Sequence, residues 1–465
     1  MKLPFKQPKS LIGRIFFWGV PSVFLILVVG FLWMRAWLGS YLESEAFREW
    51  LAHLTSKQLQ ARCEYEPFHF AGLSVKADAL KAQGTDKAAF STLELDKLST
   101  AINLSGLWSK SLEIDNVAID RIRISLGHTG APPVPESEIG TEPTVQKTAE
   151  SHPSWFSPTL DLRRVVVNET DVIWGENTPQ EGSMQKTEVT VTPNGDAWNI
   201  VLQGGTISQH GEPDFKLDHV KVHYQDPMVD ISEGVLQFPQ GGDIGITGQV
   251  NTKKNLEVHV KVNSVPVKPF LPPDQQSHLE GTLFADVTVA GPIPVEDSLS
   301  VSGDVHLENA NVEGIQLLDF FAKLLRAPGF SKIKLDVASA HFNYTAQKVT
   351  ITNLIVEKKG LLCVKGKISI VNSRAEGDLE VGIPHEAIQL IPPLETEVFT
   401  GSGDGYRWYH YEGPLSNFQE ALVKRIATAA PQAVLGLATD VLKQVPKIPD
   451  DPKKAVQSLF DKLHK

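Results

Sequence analysis

The sequence has few of the residues that would cross-link a fold or build a metal site. It contains only two cysteines, Cys63 and Cys363. Two cysteines cannot form a disulfide framework, and they do not supply a zinc site between them. Because they lie in different halves of the sequence, we expect both to be free, buried thiols.

Catalytic motifs are missing as well. The sequence has no G-x-S-x-G elbow, no H-E-x-x-H helix, no G-x-x-x-x-G-K-[ST] loop and no Asp-x-Asp pair. His219 and His223 share one predicted strand face about 13 Å apart, too far for one metal ion without other ligands, so we interpret them as solvated surface histidines. His385-Glu386 is interpreted as a turn, and residues 401–405 as a mobile loop. We therefore expect no metal, no cofactor and no enzymatic activity.

Positive charge is in short supply. Lys and Arg total 44 against 55 Asp and Glu, which gives a net charge of −11 and argues against a nucleic-acid partner. Hydrophobic residues make up 42% and charged residues 21%, the balance of a globular chain rather than a disordered one. Only 4 Met accompany 35 Gly and 30 Pro, and so many turn-forming residues favour a β-rich fold.

One long hydrophobic run lies near the N-terminus. Residues 15–34 contain no charge, and a helix of that length spans about 30 Å, the thickness of a bilayer core. Only basic charges precede the run, at Lys2, Lys6, Lys9 and Arg14. The positive-inside rule then places residues 1–14 in the cytoplasm and the body across the membrane. The alternative is a cleaved signal peptide, but no small-x-small cleavage site ends the run, so we favour an uncleaved anchor.

Beyond the anchor the pattern changes from helical to strand-like. A helical stripe covers residues 41 to 61, at Phe47, Trp50, Leu51 and Leu54. From residue 68 to 126 apolar and polar residues alternate, which indicates strands with one dry and one wet face. Residues 41–126 are thus predicted to be a helix followed by the first strands. Residues 127–155 lose all periodicity and are rich in Pro, Glu, Ser and Thr, so they are predicted to be a disordered linker.

Residues 156–414 have the pattern of a long series of short strands. Alternating pairs such as Val258/Val260 and Val287/Val289 recur between turn signals such as Gly291-Pro292. Short strands that repeat about every 10 to 15 residues without helices between them indicate antiparallel structure built from consecutive hairpins.

Two segments interrupt or end this series with helical spacing. Residues 313–326 place five apolar side chains on one helical stripe: Leu317, Phe320, Phe321, Leu324 and Leu325. Such a helix usually packs on an open sheet face, and the alternative is a helix that touches a membrane. Residues 415–465 are also predicted to be helical. Their last segment is a basic amphipathic helix, either a solvated end cap or a contact with an anionic membrane surface.

The order of these elements resembles that of AsmA-like proteins. In the first half the resemblance is carried by the anchor, the short helix, the turn SGLWSKS at residues 105–111 and the strand LEIDNVAID at residues 112–120. In the second half it is carried by Gly281-Thr282-Leu283, Gly303-Asp304-Val305, the helix at 315–326, Val349-Thr350-Ile351 and Gly366-Lys367-Ile368-Ser369-Ile370. The linker at 127–155 and the helical tail after 415 depart from the family pattern.

The resemblance implies a mainly β fold, in which a long curled antiparallel β-groove, shaped like a taco, joins an N-terminal transmembrane helix, one internal amphipathic helix and a C-terminal helical segment. AsmA-like and TamB-like proteins are periplasmic, anchored in the bacterial inner membrane and similar to bridge-like lipid transfer proteins. A dry concave face holds acyl chains while headgroups stay in water. Nine positions are candidates for this face: Val258, Val260, Val287, Val289, Val301, Val349, Ile351, Ile368 and Ile370.

Two functions remain open on this basis. The first is a protein that shelters or transports phospholipid between the inner and outer membranes and so supports outer-membrane biogenesis. The alternative is a structural or assembly factor for envelope proteins, without lipid transport. In that case a sheet edge and residues 415–465 would dock the outer membrane or an envelope protein, the latter by strand addition.

Overall fold

The computed structural model describes residues 44–71, 74–103, 111–127, 159–293, 298–345 and 348–435. The predicted anchor at 15–34, the segment 1–14, nearly all of the predicted linker and residues 436–465 lie outside this description. Among the described residues, no helix is both long enough and apolar enough to cross a bilayer. The prediction of a mainly β chain is confirmed. The chain divides between Asn168 and Glu169 into two compact units.

The first unit is a small sheet with one helix. Its elements are α1 (Glu45–Leu59), β1 (Ala61–Tyr65), β2 (Phe68–Ala71), β3 (Ser74–Gly84), β4 (Phe90–Asn103), β5 (Ser111–Leu126) and β6 (Thr159–Leu162). Strands β1 and β2 both pair with β3, which is followed by β4 and β5, all antiparallel. Strand β6 pairs with β5 in parallel, so the expectation of antiparallel pairing throughout is wrong here. A parallel pair needs a long connection, and the chain between β5 and β6 is long enough to provide one.

Side chains hold α1 against the first strand. Ser56 accepts a hydrogen bond from the backbone N–H of Cys63 at 3.0 Å, and the hydroxyl of Tyr65 donates to Thr55 Oγ1 at 3.3 Å. Burial raises the pKa of Tyr65. The C-terminal end of α1 is therefore tied to β1 by two hydrogen bonds.

The second unit is one antiparallel sheet that follows the chain order closely. Strand β7 (Val165–Trp174) contains the division between the units. It is followed by β8 (Gly182–Asn194), β9 (Ala197–Gln203), β10 (Thr206–Gln209), β11 (Phe215–Gln225), β12 (Met228–Gln237), β13 (Asp243–Asn251), β14 (Asn255–Pro266), β15 (Leu279–Pro292) and β16 (Ser300–Glu313). Strand β8 pairs with β9 and β10, which both pair with β11, and from β11 to β16 each strand pairs with the next.

The sheet continues to the C-terminal end of the described chain. Its last strands are β17 (Lys332–Lys334), β18 (Val337–Thr345), β19 (Lys348–Lys358), β20 (Leu362–Val371), β21 (Arg374–Pro384), β22 (Gly401–Gly403) and β23 (Tyr406–Pro414). Strand β16 pairs with both β17 and β18, after which the order is β18, β19, β20, β21, β23 and β22.

The second unit also contains α-helices and a π turn, all of which, among the described residues, follow β16 in the sequence. They are α2 (Gln316–Leu324), α3 (His385–Ile388), a turn of π-helix (Leu394–Val398), α4 (Leu415–Ala429) and α5 (Pro431–Leu435), with short 3-10 turns at Lys268–Phe270 and Pro328–Phe330. Helix α2 falls inside the predicted segment 313–326, and α4 begins at the predicted residue 415.

The helices and the last strands share one dry core. It joins α2, the π turn and α4 to β20, β21 and β23. Its most enclosed side chains, none more than 1% exposed, are Phe321, Phe330, Ile333, Ile383, Ile388, Leu394, Val398, Phe399, Leu422 and Ile426. Because sheets need an apolar partner on a dry face, this core is the second layer for the C-terminal strands.

Bulges change which residues face each side. In β19 the register with β20 shifts between Ile351 and Leu354, and Asn353 adopts a positive φ of 51°. The apolar positions of β19 therefore change from odd numbers, such as Val349, to even numbers, such as Val356. The sequence pattern shows two separate apolar runs, whereas the structure has one bulged strand.

A glycine in β20 tests how tightly the sheet is built. Gly366 has a φ of 152°, and a Cβ there would meet the backbone carbonyl of Asp378. We expect Gly366→Ala to lower the free energy of unfolding by about 1–3 kcal/mol, since the neighbouring backbone must move. Gly245 is the matched control, because a Cβ there has nothing nearer than 3.8 Å. Denaturant unfolding of both variants checks this, and equal destabilisation of the two would contradict it.

Candidate functional site

The nine candidate positions lie on one face of the second unit's sheet. Directly opposed residues of antiparallel strands point to the same side. A first row crosses β14 to β20 through Val258, Val289, Val301, Tyr344, Val349 and Ile370. A second row crosses the same strands through Val260, Val287, Gly303, Phe342, Ile351 and Ile368. We call the surface formed by these two rows the apolar face.

The opposite side of the same strands is polar. The residues between the two apolar rows along each strand point to the opposite side of the sheet. They are His259, Thr288, Ser302, Asn343, Thr350 and Ser369. Each strand thus has one wet side and one dry side over this stretch. In most antiparallel sheets such a dry side is covered by a second layer.

Within the described part of the chain, the side chains that pack on the apolar face come from the sheet itself and do not form a second layer. The buried cluster on this face consists of Leu299, Val301, Tyr344 and Val349. The partly buried residues around the cluster also come from the sheet itself: Leu256, Val287, Val289, Phe342, Ile351 and Ile370. The face is therefore a single layer of apolar side chains, and most of them are only partly buried.

Three members of the two rows were not among the sequence candidates. Phe342, Tyr344 and Gly303 pair directly with candidate residues. The alternation in His341-Phe342-Asn343-Tyr344 is the signal that could have revealed the two aromatic residues. Gly303 carries no side chain and gives no periodic signal, so only the register places it on the face.

The five residues of the predicted amphipathic stripe lie in the dry core. Phe320, Phe321 and Leu324 are buried, and Leu317 and Leu325 are partly buried against them. The ring centroids of Phe321 and Phe330 are 5.9 Å apart. In this conformation the stripe is occupied by contacts within the protein, as expected for a helix that packs on a sheet.

His219 remains partly exposed, but it is paired with two carboxylates, which the sequence did not indicate. Its Nδ1 lies 2.7 Å from Asp218 Oδ2 and its Nε2 lies 3.3 Å from Glu233 Oε1, and its side chain is 23% exposed. The Asp218 carboxylate raises the pKa of His219, and Glu233 acts in the same direction. Lys221 and His219 in turn lower the pKa of Glu233. A bulge in β11 brings these charges together, which strand spacing alone does not indicate.

Other weak sequence signals also have structural explanations. His385 opens the one-turn helix α3 instead of a simple turn, and its Nδ1 lies 3.2 Å from Glu395. Glu395 also pairs with Arg407. Residues 401–405 are not a mobile loop, because they form β22 and the turn into β23, where Trp408 Nε1 donates to the carbonyl of Gly403 at 3.1 Å. The sequence missed this hairpin because three glycines conceal the strand pattern.

The remaining candidate reactive groups are the two cysteines and possible metal ligands. Cys63 and Cys363 are both free and buried, as predicted, and burial raises the pKa of the Cys363 thiol. Among the described residues, no group of His, Cys, Asp and Glu is arranged to hold a metal ion. The apolar face is therefore the feature that best qualifies as a functional site.

Comparisons with protein families, curated proteins and solved structures gave no match for this chain. The function must therefore be argued from the sheet and its surfaces.

The His219 cluster should give the protein a measurable pH dependence. Because the pKa of His219 is raised in the folded state, the protonated ring stabilises the fold below the ordinary histidine pKa of about 6.5. This contribution is lost as pH rises through the raised pKa. We therefore expect the free energy of unfolding of His219→Gln to lack this pH-dependent contribution. The measurement is the free energy of unfolding of the variant and the unmodified protein as a function of pH.

His223 is the matched control for this measurement, because its Nδ1 lies 2.7 Å from the uncharged side chain of Asn199 on the same sheet. The variant His223→Gln should keep the wild-type pH dependence. An unchanged pH dependence in His219→Gln would contradict the assignment.

Proposed function

We propose that the apolar face binds phospholipid acyl chains and that the protein shelters or moves phospholipid between two membranes. The observation that carries the proposal is a single layer of apolar side chains, most of them only partly buried, on a sheet whose other side is polar. Contiguous exposed apolar surface on a protein marks a binding site or a partner surface. No catalytic group is needed for this function.

Energetics favour an acyl chain as the occupant. Each CH₂ group moved from water onto an apolar surface contributes about 0.8 kcal/mol when fully buried. Valine, isoleucine and phenylalanine side chains make up most of the face, and they offer no hydrogen bonds that an acyl chain would leave unmet. A lipid headgroup, by contrast, would lose hydration there, so it should remain in water at the boundary of the face.

The dimensions agree with this occupant. The two rows cross six strands, and at about 4.8 Å per spacing they extend for about 24 Å. One leaflet contributes half of a bilayer core of about 30 Å. An extended acyl chain therefore fits across the face with room to spare.

The proposal includes a location. If residues 15–34 form the anchor that their hydropathy predicts, the sheet stands on the far side of the inner membrane. A periplasmic body that receives lipid there is what resemblance to AsmA-like proteins implies. The anchor would keep the face close to a lipid source.

Charge on the apolar face should weaken lipid binding. We expect Val260→Asp and Val289→Asp to weaken binding of a fluorescent phospholipid, because a carboxylate beside an acyl chain loses hydration at a cost of about 1–3 kcal/mol. That cost corresponds to roughly 5- to 150-fold weaker binding. Binding is measured by titrating the purified full chain with the lipid probe.

The matched control is Thr288→Asp, which adds the same charge one residue from Val289 but on the polar side. It should bind lipid as the unmodified protein does, and circular dichroism should show that all three variants are folded. If the delipidated protein neither binds nor extracts lipid, the proposal fails. A dimer that buries the same face would identify a second copy as the occupant and would also overturn it.

A further inference from the structure

Helix α4 lies on the continuation of the apolar face. The second row extends from Ile368 to its partner Gly377 on β21. A Cβ at Gly377 would lie 2.5 Å from the side chain of Leu415, the first residue of α4. The close approach shows that the helix begins directly above the row, in contact with the bare backbone of the strand.

The helix continues along the last strands. The rings of Phe418 and Tyr411 are 5.2 Å apart and meet edge to face, and the guanidinium of Arg425 lies 5.8 Å from the ring of Tyr409. Tyr411 and Tyr409 are the register partners of Leu379 and Val381. Helix α4 thus follows β21 and β23 along the dry side, from Leu415 to Arg425, which is about three helical turns.

Helix α2 and the π turn fill the remaining space over these strands. Phe321 of α2 packs 6.4 Å from Phe399, measured between ring centroids, and Phe399 packs 6.2 Å from Tyr409. Phe321 and Phe399 are no more than 1% exposed. A fully enclosed core leaves no room for a ligand on β21 and β23.

The two parts of one dry face therefore differ in what covers them. Among the described residues, only the sheet's own side chains pack on the two rows of the apolar face. Helices cover the dry side on β21 and β23 and, further along β20, at Leu362 and Val364. The covering side chains are leucine, phenylalanine, isoleucine and valine, which are aliphatic and aromatic groups like those that pack well against an acyl chain. Where the protein covers this dry side itself, it therefore uses aliphatic and aromatic groups.

We infer that the lipid site is closed at its C-terminal end, with α4 as the wall. This inference rests on the proposed function and limits it. Acyl chains occupy the face from β14 to β20 and stop at β21, where Leu415 and Phe418 take their place. Lipid then enters and leaves at other edges of the face, and it does not pass along the sheet beyond α4.

Photocrosslinking locates this boundary. The full chain is loaded with a phospholipid that carries a diazirine in its acyl chain, irradiated and analysed by peptide mass spectrometry. We expect adducts on apolar-face residues of β14 to β20 and none above background on Leu379, Val381 or Tyr411. In the double variant Leu415→Ala/Phe418→Ala, adducts on these three residues should rise several-fold.

Phe215→Ala is the matched control, because Phe215 is a half-buried ring in a separate aromatic cluster, 5.6 Å from Phe238. In this control the boundary should stay at β20. Adducts on β21 and β23 of the unmodified protein would overturn the inference but leave the proposed function intact. An unchanged boundary in the double variant, with its fold shown intact by circular dichroism, would overturn the role of α4. Absence of adducts from every strand would instead refute the proposed function.

Discussion

The register between neighbouring antiparallel strands is the constraint on which the rest of the structure depends. Val258 faces Val289, and Val289 faces Val301, so apolar side chains meet on one side of every strand in the series. A slip of one residue in any strand would turn its valines toward water and its charges toward the dry side. The apolar face exists because this alignment is kept from strand to strand.

The dry side of the sheet is covered in one region and left as a single layer in another. On β21 and β23 the helices supply a conventional second layer, and the most enclosed side chains of that core are no more than 1% exposed. In the two rows of the apolar face the side chains pack on one another, and most of them are only partly buried. Partly exposed apolar surface is costly in water, and this arrangement is the basis of the lipid site proposed above.

Much of this organisation could be predicted from the sequence. Alternation in segments such as Val258–Val262 determines a strand's two sides without any tertiary information, and the stripe from Leu317 to Leu325 identified the internal helix. Two kinds of feature could not be predicted. Bulges such as that at Asn353 shift parity within one strand, and long-range contacts such as that of Leu415 with Gly377 depend on the tertiary path of the chain.

The most direct test of the account is to ask which methyl groups an acyl chain touches. Methyl NMR of the full chain, titrated with a phospholipid that carries a nitroxide in its acyl chain, measures this through paramagnetic line broadening. The account predicts strong broadening for the methyl groups of Val258, Val260, Val287 and Val289. The Thr288 methyl on the polar side should be much less affected. Equal broadening on both sides of the sheet, or none on the valines, would contradict it.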